Sequence, residues 1–251
     1  DKVVGKVPFR AALVKSLNLP TIGLCEELKP EQVISYSRRF GISAEMMQNL
    51  TTCLGSLSVT LQEMLSAYGV FANQGRLVKP IYVLKVEDQY GNILESSVPE
   101  SEQVTSEETA FLMSNVLQDV VQRGTGRRAR AIGRPSAGKT GTTNDSVDAW
   151  YIGYIPQLLT GVYVGFDDNR SLGDKEQGAS AAAPIWKEFM RGAHGGRVRG
   201  GFYGEQPSLD RLEGVNMAYN VDFRALYATV ARQWWGLNGA FLGPRTLPLI
   251  T

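Results

Sequence analysis

Histidine is almost missing from this chain: His194 is the only one among 251 residues. A Ser-His-Asp triad would have to draw on that residue, which sits in a Gly-rich segment with no nucleophile elbow around it. Cysteine is nearly as scarce. Cys25 and Cys53 have neither thiol-redox nor zinc spacing. The usual burial of free cysteine favours a small apolar core role for each, while a disulfide between them, which an oxidising compartment would permit, stays open. Charge of one sign is not in excess, for the net charge is +1. Dominant nucleic-acid or membrane electrostatics are thereby disfavoured. No run of eighteen apolar residues and no signal-peptide pattern occurs. Nothing in the spacing calls for a metal or a cofactor.

What is present suffices for a buried core in one or two domains, at 43% hydrophobic and 20% charged residues. The first half is mainly helical. A short helix is expected over Phe9 to Lys15, ending where Pro20 forbids continuation. A second runs from Pro30 to Phe40 with Gly41 as its stop. Thr60-Leu61-Gln62-Glu63 is a capping box opening a helix with Leu61, Met64, Leu65, Tyr68 and Phe71 on its apolar face. A hairpin follows, Ile81 to Val86 and Ile93 to Ser97, turned at Tyr90-Gly91-Asn92. Thr105-Ser106-Glu107-Glu108 caps a helix burying Met113, Val116, Leu117, Val120 and Val121 before Gly124 ends it.

The most informative stretch is Gly138-Lys139-Thr140-Gly141-Thr142-Thr143. Read from Gly133, Gly-Arg-Pro-Ser-Ala-Gly-Lys-Thr satisfies the phosphate-cradling pattern G-x-x-x-x-G-K-[ST] of an NTPase. That motif needs an apolar strand before it and a helix after it. Upstream, Arg127-Arg128-Ala129-Arg130 is too charged for a buried parallel strand. Downstream, Ala149 to Ile155 and Leu158 to Phe166 favour strands. Val162 to Asp167 imitates the strand and metal-holding Asp of an ATPase, but two strand-like runs with no helix between cannot build a parallel crossover. Three consecutive antiparallel strands beginning near Pro135 are the more economical reading. Trp150 and Tyr151 alternate along one of them, so one faces the core and the other a groove. Asp167 and Asp168 read as a hairpin turn, and Arg127, Arg128 and Arg130 as a solvated loop, with a cationic rim as the functional alternative.

Read from Lys139, the stretch is instead the Lys-Thr-Gly element of serine enzymes that bind penicillin. Their Ser-x-Asn element is matched by Ser16-Leu17-Asn18. Around both, the chain resembles the transpeptidase domain of class A, bifunctional penicillin-binding proteins. The resemblance is carried by Ala12 to Thr21, Leu54-Gly55-Ser56, Val59 to Met64, Tyr68 to Gly75, Gly124 to Ala129, Ala137 to Asn144, Asp148 to Tyr154 and Ala182 to Trp186. These stretches follow family order over about residues 1 to 192. The fold this implies is α/β of the α+β type, a penicillin-binding transpeptidase and β-lactamase-like antiparallel sheet flanked by helices, incomplete at its N-terminus.

The resemblance makes Ser16, Asn18, Lys139 and Thr142 the catalytic residues, and Thr140, Gly141, Thr142 and Thr143 the substrate-binding ones. Ser16 would relay a proton, and Asn18 would bond the substrate backbone. Lys139, with the hydroxyls of Thr140 and Thr142, would hold its C-terminal carboxylate. The Thr142 N–H would stabilise an oxyanion, and Gly141 would leave room along the strand. The implied partners are peptidoglycan stem peptides, β-lactams and an upstream part of the same protein with a glycosyltransferase domain and a membrane anchor. The implied place is the outer face of the cytoplasmic membrane in a bacterial envelope. No nucleic acid and no cofactor are implied.

The family's nucleophilic Ser-x-x-Lys belongs upstream of Ser16, where no serine stands. Ser136-Ala137-Gly138-Lys139 matches formally, but it shares its lysine with the Lys-Thr-Gly strand. A true pair needs a helix to stack lysine beside serine. Ser136 therefore reads as a strand-entry residue, and the chain by itself is expected not to acylate. A binding module that keeps the carboxylate site without acylation is the alternative of a different class, and the NTPase the remote one.

From His194 the character changes to a Gly-rich loop. Asp222 to Leu237 then carries Phe223, Leu226, Tyr227, Val230 and Trp234 at helical spacing. Residues 193 to 251 resemble the C-terminal end of an uncharacterised secreted bacterial family distantly similar to alkaline phosphatases, on Gly200 to Gly204, Asp222-Phe223-Arg224, Tyr227-Ala228-Thr229 and Leu247 to Ile250. That family's metal-site segments are absent, so no chemistry is implied. A junction of two unrelated protein ends and an ordinary extension are both open.

Overall fold

A computed structural model of the chain describes residues 6–194 and, beyond them, the backbone of Leu212–Glu213 and Asn216–Met217. The chain divides into two units, Asp1–Arg199 and Gly200–Thr251. The helix expected over Asp222 to Leu237 and the Gly-rich segment after His194 lie outside the described residues.

The first unit opens with α1 (Phe9–Lys15), α2 (Asn18–Leu28) and α3 (Pro30–Arg39). Pro20 does not end the first helix. That helix stops four residues earlier, at Ser16 in the left-handed conformation, and Pro20 occupies the first turn of α2. A first-turn position has no intrahelical partner for an N–H, so proline costs nothing there. Gly41 follows α3 at φ 87°, as its stop should.

Cys25 of α2 is disulfide-bonded to Cys53, in a 3-10 turn at Thr52–Leu54. The free, buried apolar role expected for both cysteines is thus corrected. Nothing local encodes the bond, because it depends on two segments 28 residues apart meeting in space.

α4 (Leu61–Ala72) begins at the full capping box of Thr60 and Glu63. Its fully buried positions are Ala67 and Val70, while Tyr68 and Phe71 are partly buried against Leu117, Ala137 and Tyr154. β1 (Arg76–Val78) pairs with β4 (Ser101–Gln103), and between them β2 (Lys85–Glu87) pairs with β3 (Ile93–Ser96), both antiparallel. The hairpin is shorter than expected, since pairing starts at Lys85 and not at Ile81. Its turn is tied by the Asp88 carboxylate, which accepts from the backbone N–H of Tyr90 and of Asn92.

α5 (Glu107–Arg123) is capped by Ser106, whose hydroxyl accepts from the Thr109 N–H, and buries Val116, Leu117, Val120 and Val121. Met113 is only partly buried. Next comes a 3-10 segment, Arg127–Ile132. Its arginines are exposed while Ala129 is fully buried.

β5 (Ala137–Thr142), β6 (Ala149–Ile155) and β7 (Leu158–Val164) form a three-stranded antiparallel sheet in chain order. α6 (Ala183–His194) closes the unit after a π-helical turn at Gly178–Ala182. Period-2 alternation sends Tyr151 into a cluster with Ala129, Ala182, Trp186 and Met190, its ring 5.1 Å from that of Trp186. Each such fully buried aromatic contributes about 2 to 3 kcal/mol of burial. The Trp186 indole N–H donates to the carbonyls of Gly153 and Thr160, locking α6 onto β6 and β7. Trp150 faces the other way, its ring tilted against that of Tyr163 with centroids 4.8 Å apart. Asp167 and Asp168 do form a turn, but it leads into a loop and not into a fourth strand. No helix among the described residues is long and apolar enough to cross a membrane.

Candidate active site

The two motifs, 123 residues apart in sequence, meet through one side chain. Lys139 Nζ donates to Ser16 Oγ at 2.8 Å and to the Thr140 carbonyl at 2.8 Å. An ammonium has three donors, so one is left for a ligand. Burial without an acidic partner lowers the Lys139 pKa to about 8, so near neutral pH the site still presents a cation.

Ser16 reaches Lys139 because of how α1 is held and how it ends. Arg10 pairs with Asp119 at 2.5 Å and donates to Asn115 at 2.8 Å, both on α5. Val14 packs between Val116 and Val120. Lys15 in the last turn suits the negative end of the helix dipole. Ser16 then adopts φ 54°, ψ 51°, a conformation costing a non-glycine residue about 1 kcal/mol. Such strain is common at functional sites. Asn18, the first residue of α2, is exposed, and its side chain makes no hydrogen bond among the described residues.

The threonines are held separately. Thr140 Oγ1 lies 2.7 Å from Thr125 Oγ1, in the Gly124-Thr125-Gly126 loop after α5. Thr142 Oγ1 accepts from the Gly178 N–H at 3.1 Å. Alternation puts Thr140 and Thr142 on one face of β5, and Lys139 and Gly141 on the other. Gly141 faces Trp150: a Cβ there would stand 3.1 Å from the Trp150 Cβ, so the glycine accommodates the neighbouring strand. Thr143 has a turn role, its hydroxyl accepting from the Asp148 N–H at 2.7 Å. Thr125 and Gly178 were not legible as site residues. The sequence shows the first only as a threonine between two glycines at a helix end, within the Gly124 to Ala129 stretch that carries the resemblance.

Ser136 immediately precedes β5, is 1% exposed, and its hydroxyl has no partner among the described residues. The lysine three positions on is bonded to Ser16 instead. The phosphate-loop reading fails as well. Lys139 and Thr140 lie inside a strand, and after a short 3-10 turn the next element is another strand. There is no helix N-terminus to gather N–H groups on a phosphate. Arg127, Arg128 and Arg130 stay exposed, and Arg128 donates to the Ala179 carbonyl at 3.0 Å.

The family model described as "Penicillin binding protein transpeptidase domain" matches residues 1–191. The chain belongs to this transpeptidase family. Penicillin-binding protein 1A of Aquifex aeolicus is 38% identical over 191 residues, covering 76% of this chain and 26% of the relative. That of Pseudomonas aeruginosa is 35% identical over 239 residues, 74% of this chain and 29% of the relative. These relatives place the chain with the class A transpeptidase domains. It spans little more than a quarter of their length.

Among solved structures, penicillin-binding protein 1A of Haemophilus influenzae superposes with a TM-score of 0.72 at 29% identity, covering 81% of this chain and 36% of that one. The PonA1 protein of Mycobacterium tuberculosis, in complex with penicillin V, superposes with a TM-score of 0.73 at 27% identity, over 82% of this chain and 61% of that one. The α/β fold, helices around an antiparallel sheet, is that of penicillin-binding transpeptidase domains.

Proposed function

We propose that the chain is the C-terminal portion of a peptidoglycan D,D-transpeptidase and carries the carboxylate-binding wall of its acyl-transfer site. The observation that supports this most is the hydrogen bond from Lys139 Nζ to Ser16 Oγ at 2.8 Å. It brings a partly desolvated cation and a hydroxyl together beside an edge strand, which suits a substrate ending in a carboxylate. In this reading the carboxylate sits at the open edge of β5, where Lys139 reaches it from one face and the Thr140 and Thr142 hydroxyls donate to it from the other. Ser16, already bonded to Lys139, passes a proton to the leaving amine. The Thr142 N–H contributes one donor to the oxyanion. Asn18, whose side chain makes no hydrogen bond among the described residues, takes the substrate backbone.

Acyl transfer of this type splits one amide exchange into two steps. A serine attacks the penultimate D-alanine carbonyl, releasing D-alanine, and the amine of a neighbouring stem peptide then displaces the serine. Ser136 is unsuited to be that serine, being buried at a strand entrance. The polypeptide alone is therefore expected to bind such ligands without acylation. Stem peptides and β-lactams are the ligands this reading names, and the envelope side of a bacterial membrane is the setting.

The test is covalent labelling by a fluorescent penicillin. No adduct on the 251-residue chain, and an adduct once the adjoining upstream part of the parent protein is joined to it, supports the reading. An adduct on a serine of the chain alone contradicts the expected inactivity. Reversible penicillin binding that never becomes covalent, even in the longer protein, would replace the enzyme with a binding module.

A further inference from the structure

Thr140 and Thr142 stand on the same face of β5, and each hydroxyl has one hydrogen-bond neighbour among the described residues. For Thr142 that neighbour is a backbone N–H, that of Gly178. An N–H can only donate, so the Thr142 oxygen accepts and its proton is turned away from Gly178. For Thr140 the neighbour is the hydroxyl of Thr125, 2.7 Å away, and either oxygen can be the donor.

A hydroxyl has one proton. If Thr140 donates to Thr125, nothing is left for an incoming anion. If Thr125 donates, Thr140 becomes a directed donor like Thr142. We propose that Thr125 is a positioning residue for the anion site: its hydroxyl donates to Thr140 and thereby turns the Thr140 proton toward the ligand's carboxylate. This rests on the reading of β5 as a carboxylate-binding wall.

The placement of Thr125 fits the role. Its N–H donates to the Val14 carbonyl at 3.3 Å, two residues before Ser16. Gly124 and Gly126 on either side both donate to the Val120 carbonyl, at 3.0 and 3.1 Å. The loop is thus pinned between α1 and α5, and it delivers the Thr125 side chain to Thr140 from a fixed base. The same residue connects the two halves of the site, through its N–H to the helix bearing Ser16 and through its hydroxyl to the strand bearing Lys139. A chain of hydroxyls ending on an anion strengthens cooperatively, which gives Thr125 an effect at a distance.

The test uses the 251-residue chain, a blocked lysyl-D-alanyl-D-alanine peptide and the same peptide as its C-terminal amide. Dissociation constants come from NMR titration. Thr125→Val keeps the shape and removes the hydroxyl. Thr140 keeps its proton but loses the partner that directs it, so the carboxylate peptide should weaken about threefold while the amide peptide is unchanged. Thr125→Ser should restore wild-type behaviour. A merely structural role would weaken both peptides together.

If Thr125→Val leaves the wild-type preference for the carboxylate intact, the role of Thr125 is overturned while the wall stands. If the wild-type chain does not distinguish the two peptides, the wall itself falls, and the role with it. Should Thr125→Val fail to fold, Thr125→Ala against Thr125→Ser decides on the same affinity ratio.

Discussion

Gly124 approaches the end of α1 so closely that a Cβ at this position would stand 2.3 Å from the Val14 carbonyl oxygen. Side chains do not tolerate that separation, so Gly124→Ala must push α1 away from α5. The expected cost is about 2 kcal/mol, in the range of overpacked cores. Equilibrium denaturation measures it. Because Ser16 ends α1, displacing that helix should also relieve the burial of Lys139, seen as a rise of its pKa toward its ordinary value.

The titration of Lys139 has its own consequence for pH. Its pKa in the fold, about 8, lies below the ordinary 10.5. The destabilisation from burying its charge is present in full below pH 8 and is relieved as pH rises from about 8 toward 10.5. Stability of the wild-type chain should therefore gain over that window relative to Lys139→Met, which lacks the group. Affinity for a carboxylate ligand should move the other way, falling above pH 8 as the cation is lost. A melting series against pH and a parallel binding series check the two slopes.

The capping box at Thr60 does more than start α4. Glu63 accepts from the hydroxyl and N–H of Ser43, at 2.6 and 2.8 Å, and from the hydroxyl and N–H of Thr60, both at 2.9 Å. The Ser43 hydroxyl first, then the Thr60 and Ser43 amides, lower its pKa to about 2. The stability it contributes is present above the ordinary carboxylate pKa of 4.5 and is lost as pH falls toward 2. Glu63→Gln should flatten the acid limb of the stability profile, and Thr60→Ala should cost about 1 kcal/mol.

Reduction of Cys25–Cys53 releases a loop spanning 28 residues, which by chain entropy costs about 3.5 kcal/mol. For a chain of this size that is a drop in Tm of roughly 10 °C. Thermal melts with and without reductant give the value, and Cys53→Ser should reproduce the reduced state. An unchanged Tm would mean that the tether between α2 and the Thr52–Leu54 turn does not limit unfolding.

Local chemistry made part of this legible in the sequence. The caps at Thr60 and Ser106, the stop at Gly41 and the three-strand succession after Pro135 are written within a few residues each, and the fold follows them. Ser16, Asn18 and Lys139 could be named because two short motifs recur in a known order. What escaped depends on contacts between distant segments. The Cys25–Cys53 bond has no spacing signature, and the Thr125–Thr140 pair joins a loop to a strand. Pro20 escapes a local reading for a different reason. The rule that proline ends a helix competes with the rule that it suits a first turn, and only the left-handed Ser16 decides between them.

The role proposed for Lys139, held beside Ser16, is recognition of a terminal carboxylate. The most direct measurement is the ratio of affinities for a D-alanyl-D-alanine peptide and its C-terminal amide at pH 7, in the wild-type chain and in Lys139→Gln. A preference for the carboxylate of about tenfold or more is expected in the wild type, lost in the variant while amide binding persists. Equal affinities in the wild type, or a preference that survives Lys139→Gln, would contradict it.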